Sequence, residues 1–333
     1  MKTKHYILLG LAMITTALSS CTSDDTADDN SSDIAAGKYV EIGANVGAFS
    51  RVTLSENGTT QDKGLAAVWT AGDNMTIVNG SKSNTAETFT LISGATFSTG
   101  KFACTTSTVE AGNQIYGFYP AKSTTDAPTS MTDLSGITAT IDYSSQEGTI
   151  NYVGKNVVMT AAQIFQVDGE TAAFTCNKAT SILRVNVSLP AEATVKYIIL
   201  SATGLWNKTT IIPSATGGTA AMSMLNAGNI TATLNGGLGT LATGGKLVVY
   251  LNVFPQSLAS GFSITAITTE GDVYTYTNSA TNVAFKAGLV HSINKSGNPF
   301  TKYELKIGDG LTNGIGIATW TPSTNTSDDN TWN

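Results

Sequence analysis

Few residues in this chain are equipped for chemistry, and those few lie far apart. His5 and His291 are its only histidines. A serine triad would need His291 as base, yet Val290 and Ser292 beside it read as strand, and no Gly-x-Ser-x-Gly elbow occurs. A histidine-based zinc site needs more than one imidazole, and there is neither a Cys-x-x-Cys pair nor a phosphate loop. Glu270 and Asp272 flank a glycine in a turn, whereas glycoside hydrolysis needs two acids held across a cleft. Calcium binding through turn aspartates is left open by the sequence, and the acidic run 24–33, which reads as unstructured, adds little to it. The reading is a protein without catalysis, metal or cofactor. What remains are residues to which chemistry is done: the thiol of Cys21, and Arg51, the only arginine before Arg184.

Cys21 stands at the end of an export signal. Lys2 and Lys4 precede an apolar run, Tyr6 to Leu18, of 13 residues. A membrane-spanning helix needs roughly 20, so the run is a signal segment rather than an anchor. Leu18-Ser19-Ser20-Cys21 is similar to the bacterial lipobox, in which cleavage precedes the cysteine and its sulfur is acylated. Residues 1–20 are thus expected to be removed, and Cys21 to hold the protein to lipid. The acidic tether of residues 21–37 follows, with five aspartates between Thr22 and Asp33 and no large hydrophobe there. Such a segment cannot bury apolar surface. Ser23-Asp24-Asp25 resembles a lipoprotein surface-export signal, and Asp25-Thr26-Ala27 an O-glycosylation sequon; a plain charged spacer reads equally well.

The chain carries 18 Lys+Arg against 24 Asp+Glu, a net charge of −6. Removing residues 1–20 takes away two lysines and no acid, leaving 16 against 24, or −8. No basic patch appears, so nucleic acid is excluded as a partner class. Cys104 and Cys176 each follow an aromatic at i−2, Phe102 and Phe174, so each faces inward if its segment is a strand. An oxidising compartment permits a disulfide between them, and the sequence leaves open whether they pair.

The elements that must position these groups are strands. Val40, Ile42, Ala44, Val46 and Ala48 alternate with polar or small residues, as do Leu183, Val185, Val187 and Leu189. Lys246 to Phe254 is dense enough to be buried on both faces, and Val273 to Thr277 has high β-propensity. Glycine pairs at 217–218, 236–237 and 244–245 break the runs. Helical periodicity is scarce; the best candidate is a short turn near Thr160–Gln166. The fold class is all-β, read as two β-sandwiches in tandem. Asp168-Gly169-Glu170 marks the boundary, giving domains at 38–170 and 171–322 and a polar tail at 323–333.

Several segments together resemble the fimbrillin-like lipoproteins of Bacteroidales, the type V pilin family. They are Phe49-Ser50-Arg51-Val52-Thr53 after the first strand, Val68-Trp69-Thr70-Ala71-Gly72-Asp73-Asn74-Met75-Thr76-Ile77, and Gln114-Ile115-Tyr116-Gly117-Phe118-Tyr119-Pro120. Phe174 to Val185 and Phe285-Lys286-Ala287-Gly288 complete the series, in order across the mature chain. The resemblance implies transthyretin-like sandwiches and a surface-exposed outer-membrane lipoprotein that ends in a fimbrium. It also implies assembly by strand exchange. A protease cuts between Arg51 and Val52, the first strand with Val40, Ile42, Ala44, Val46 and Ala48 leaves, and a neighbour's C-terminal strand replaces it. The donor candidates are Tyr303, Leu305 and Ile307, or Ile315, Ile317 and Trp320, which share the period of two. The implied partners are other pilin subunits, outer-membrane lipid through Cys21, the protease, and host glycans or proteins. The rival reading is a surface glycan-binding lipoprotein of a nutrient-uptake system. Shaft, tip and anchor roles are not distinguished by the sequence. Apart from the resemblance, Gly72-Asp73 reads as a turn and Trp69 as a core residue.

Overall fold

Period-two alternation needs one wet and one dry face, and the chain meets that need by rolling its first strands into a ring. The computed structural model describes residues 38–46, 53–56, 65–121, 131–166, 173–235, 239–242, 245–293 and 300–303. Seven strands close a barrel in the order Lys38–Val46, Ala173–Lys178, Met159–Ile164, Gln114–Tyr119, Asn74–Asn79, Thr85–Ser93 and Thr99–Ser107, which pairs back to the first. Every neighbouring pair is antiparallel except Lys38–Val46 with Ala173–Lys178, which is parallel. Closure leaves no free sheet edge in the ring. Its interior is filled by Ile42, Trp69, Met75, Ile77, Phe89, Phe102, Ile115, Met159 and Phe174.

Part of the barrel's outer wall is dry as well. A four-stranded sheet, ordered Ala221–Ala227, Trp206–Ile212, Thr138–Asp142 and Met131–Ser135, supplies Ala139, Ile141 and Ile211 to a cluster with Val78, Tyr116 and Phe118. Asn74–Asn79 and Gln114–Tyr119 are therefore buried on both faces, which explains their dense apolar sequences.

The second core is a sandwich. One sheet sets Ser181–Val187 between Leu247–Val253 and Val290–Ile293. The other runs Ser145–Gln146, Ile230–Thr233, Ala193–Ser201, Phe262–Thr268, Val273–Asn278 and Thr301–Tyr303, with Thr240–Leu241 also pairing to Ala193–Ser201. Leu183, Val185 and Val187 pack inside with Ile198, Leu200, Ile264 and Leu251. Ile182, on the opposite face of the same strand, packs into the barrel's cluster with Tyr250. All seven residues of Ser181–Val187 are buried, so this strand is shared between two cores.

Two expectations change. The first of the two expected sandwiches is a closed barrel. Ala173–Lys178, beyond the expected boundary at 170/171, pairs with the first strand and with Met159–Thr160. In the opposite sense, Thr138–Asp142 pairs with Trp206–Ile212. The proposed turn near Thr160–Gln166 is strand over Met159–Ile164, held by six residue pairs with Gln114–Tyr119. Its alanines favour no strand on their own; pairing and burial decide. The described helix is instead Ile150–Asn156, capped by Thr149, whose hydroxyl accepts from the Tyr152 amide at 3.1 Å. Its β-branched and aromatic residues hide the helical pattern.

A buried amide stitches the two cores. Gln146 Nε2 donates to the Asn252 carbonyl at 2.8 Å, and the Asn252 amide donates to Gln146 Oε1 at 2.8 Å. Asn252 Nδ2 donates in turn to the Val153 carbonyl in the helix. Gln146→Ala strands a buried donor and acceptor, each costing about 1–3 kcal/mol. Urea unfolding is expected to show a loss of about 2–5 kcal/mol with an unchanged m-value.

Candidate functional site

The first strand and the two strands that flank it are the candidate site. Inward-facing Val40, Ile42 and Ala44 are buried to 3%, 0% and 3% exposure. On the antiparallel side they oppose Cys104, Phe102 and Gly100. On the parallel side Ala44 lies level with Phe174 and Val46 with Cys176. The antiparallel ladder spans Lys38 to Asn45 with a bulge near its start, whereas the parallel ladder covers only Gly43 to Val46. The alternation read from the sequence thus describes the strand's own two faces.

Trp69 fastens the strand's far end. It is fully buried, as the sequence reading held, and its Nε1 donates to the Ala44 carbonyl at 3.2 Å. Its ring lies edge-on to Phe102 and Tyr119, at 4.9 and 5.4 Å between centroids. Gly100 makes room for it: a Cβ there would sit 2.8 Å from Trp69 Cδ1 and 2.7 Å from Leu91 Cδ1. The turn ahead of the next strand forms as read, with Gly72 at φ +88° and the Thr70 amide donating to Asp73 Oδ2 at 2.8 Å. Outside the barrel, Lys101 Nζ stands 3.6 Å from Glu41 Oε2, an exposed pair of small energetic weight. Beside residues 43–45 of the strand opens a cavity of about 410 Å³, bordered by Gly43, Asn45, Ser93, Phe97, Thr99 and Lys101.

Cys104 and Cys176 are both free, one partly buried and the other buried. Their register explains it. One is opposite Val40 and the other opposite Val46, an offset of roughly 20 Å at 3.3 Å per residue. A disulfide needs Cα atoms within about 7 Å. Burial pushes the Cys176 thiol up to about 12, so it stays protonated and unreactive in place.

The remaining site residues divide. Cys21, Ala48, Arg51, Val52, Leu305, Ile307, Ile315, Ile317 and Trp320 lie outside the described residues. Tyr303 is described, and it pairs with Val273 in the sandwich sheet of its own chain, away from the first strand. The contribution of Trp69 to the strand was not read from the sequence, because it runs through the Ala44 backbone, which no side chain betrays. Among the described residues no group of three or more His, Cys, Asp or Glu could hold a metal ion. No helix there is long and apolar enough to cross a membrane. His291 lies half-buried on Val290–Ile293, and its Nε2 accepts from the Lys286 amide at 3.0 Å.

No family model matches this sequence, and no curated protein does. Solved structures do resemble the fold. A candidate cell adhesion protein of Bacteroides uniformis is 21% identical, with 80% of this chain and 96% of that one covered at a TM-score of 0.46. A second candidate cell adhesion protein, from Bacteroides ovatus, is 12% identical, with 81% and 97% covered at 0.49. The tip fimbrial protein Mfa3 of Porphyromonas gingivalis, truncated at its C-terminus, is 9% identical, with 80% and 97% covered at 0.37.

Trp69→Phe keeps most of the packing and removes the bond to Ala44. Hydrogen exchange of the amides between 40 and 45 is expected to quicken, with a stability loss of about 1–2 kcal/mol by urea unfolding. His291 gives a pH signature. Burial lowers its pKa, so the folded state favours neutral imidazole. The associated stability is full above the unfolded pKa near 6.5 and is lost as pH falls below it. Urea midpoints are expected to drop between pH 7.5 and 5.5 in the wild type, and to drop less in His291→Gln.

Proposed function

We propose that this protein is a fimbrial subunit, exported as a lipoprotein on Cys21 and assembled by loss of its first strand after Arg51. A neighbour's C-terminal segment, drawn from beyond Tyr303, then fills the vacancy and joins the two copies. The result is a surface polymer that supports adhesion.

One observation carries this reading: the first described element, Lys38–Val46, is the strand through which Thr99–Ser107 and Ala173–Lys178 are joined into a closed barrel. A single cut after it would free it from the chain that follows. Its departure would bare Cys104, Phe102 and Gly100 along one wall, and Phe174 and Cys176 along the other. Buried aliphatic side chains such as Val40 and Ile42 are worth about 1.5–3 kcal/mol each, so the vacancy demands an occupant. Backbone pairing would hold the occupant, and apolar side chains at every second position would set its register. Ile315 and Ile317 have that spacing. Tyr303, paired in its own sheet, fits the point where a donor would leave the body of the molecule.

Arg51→Ala is expected to yield exported lipoprotein that forms no polymer ladder on a denaturing gel. Wild-type protein from the cell surface is expected to begin at Val52, with Cys104 and Cys176 open to thiol reagents until a donor fills the groove. A wild-type surface protein that still begins at an acylated Cys21 would instead favour the glycan-binding lipoprotein.

A further inference from the structure

We infer, on the fimbrial reading above, that the cavity beside residues 43–45 receives Trp320 of a second copy, so that the incoming segment lies with the polarity of the strand it replaces. Inward Ile42 and Ala44 alternate with Gly43 and Asn45, which places the cavity on the barrel's outer face. There Gly43 and Asn45 stand opposite Lys101 and Thr99, with Ser93 opposite Lys101 on the next strand. Phe97, in the turn between Thr85–Ser93 and Thr99–Ser107, supplies an apolar side and is 65% exposed. An open phenylalanine beside a vacant volume of about 410 Å³ suits an aromatic guest.

The inner face sets the register. The candidate donor reads Asn313-Gly314-Ile315-Gly316-Ile317-Ala318-Thr319-Trp320, and the inward positions it must fill hold Val40, Ile42 and Ala44. The third position is narrow. It lies opposite Gly100 and level with Phe174, and Trp69 is packed so closely that a Cβ on Gly100 would stand 2.8 Å from its ring. An isoleucine at position 44 would overpack that wall, so the two isoleucines belong at positions 40 and 42. Two alignments put them there. The forward one places Ile315 for Val40, Ile317 for Ile42 and Thr319 for Ala44. The reversed one brings Asn313 to position 44, which buries a whole amide where threonine buries a single hydroxyl.

The outer face agrees with the forward alignment, although it played no part in choosing it. Ala318 takes the place of Gly43, and Trp320 takes the place of Asn45 at the border of the cavity. Gly316 takes the place of Glu41. Lys101 then loses the carboxylate that stands 3.6 Å from its Nζ and is free to cover the indole face. Phe97 meets the ring from the other side. The reversed alignment sends Trp320 to position 37, at the opposite end of the slot, and leaves the cavity empty.

Disulfide trapping in the full-length surface protein tests this, in a Cys104→Ser, Cys176→Ser background. Thr99→Cys with Trp320→Cys should give a ladder that resists heating sufficient to reduce the background polymer to monomer, and that collapses with reductant. Position 45 stands directly opposite Thr99, within reach of a disulfide. Thr99→Cys with Thr312→Cys, the pair that the reversed alignment would join, should fall to monomer. The opposite pair of results would overturn the inference. So would a disulfide closed within one chain, which would make the cavity a seat for the molecule's own C-terminus. With the native cysteines kept, Trp320→Ala and Phe97→Ala should each shift heat dissociation of the polymer to lower temperature, and the double variant should shift it no further. Additive shifts would mean that the two rings do not meet, and would overturn it as well. A wild-type surface without polymer would sink the fimbrial reading itself, whereas polymer carrying the wrong cross-link sinks this assignment alone.

Discussion

The barrel exists because its first strand is present. Six strands of the ring are contiguous through antiparallel pairs, but the ends of that series, Thr99–Ser107 and Ala173–Lys178, meet only through Lys38–Val46. One strand therefore satisfies two rows of backbone donors and acceptors and fills the interior with Val40, Ile42 and Ala44. Its ladders are unequal: the long antiparallel one is the main hold, and the short parallel one is the seam. Trp69 grips the strand near that seam through a backbone carbonyl, a contact that depends on the missing side chain of Gly100.

The rest of the molecule makes that ring a stiff frame. Ser181–Val187 serves two cores at once, with Ile182 turned toward the barrel and Leu183, Val185 and Val187 toward the sandwich. Around it, Gln146, Asn252 and the helix backbone exchange buried hydrogen bonds, and the Tyr143 hydroxyl donates to the Asn156 carbonyl at 2.7 Å. These buried hydrogen bonds favour one arrangement of the elements around them, although Asn252 Oδ1 is left without a partner among the described residues. The wall opposite the first strand is held on both faces, so a disturbance at that strand is confined to its own side of the ring.

Much of this was legible in the sequence where the physics is local. The alternation in 40–44, the Gly72-Asp73 turn, the burial of Trp69 and the inward cysteines all follow from spacing and residue type. What was not legible depends on distant partners. The parallel ladder joins residues 43–46 to 173–176, and no local pattern announces a pairing across that span. Without it, Ala173–Lys178 reads as the opening of a second domain. Met159–Ile164 departs from its reading for the same reason: its alanines are carried into a strand by neighbours, while a Thr cap carries the β-prone residues of Ile150–Asn156, for which the sequence reading holds no element, into a helix. The exposed Ala221–Ala227 strand left no mark because nothing in its composition alternates cleanly. Of the candidate site, the sequence supplied the strand's faces, and the structure added the grip of Trp69 and the unequal ladders.

The mixed pairing of the first strand has a geometric consequence. Its two neighbours run in opposite directions, one antiparallel and one parallel to it. Any ribbon lying in that slot, whichever way it points, has one neighbour of each polarity. The slot is thus indifferent to strand polarity at the level of backbone geometry. Orientation must be decided by side-chain size along the walls, where glycine and cysteine leave room and the two phenylalanines do not.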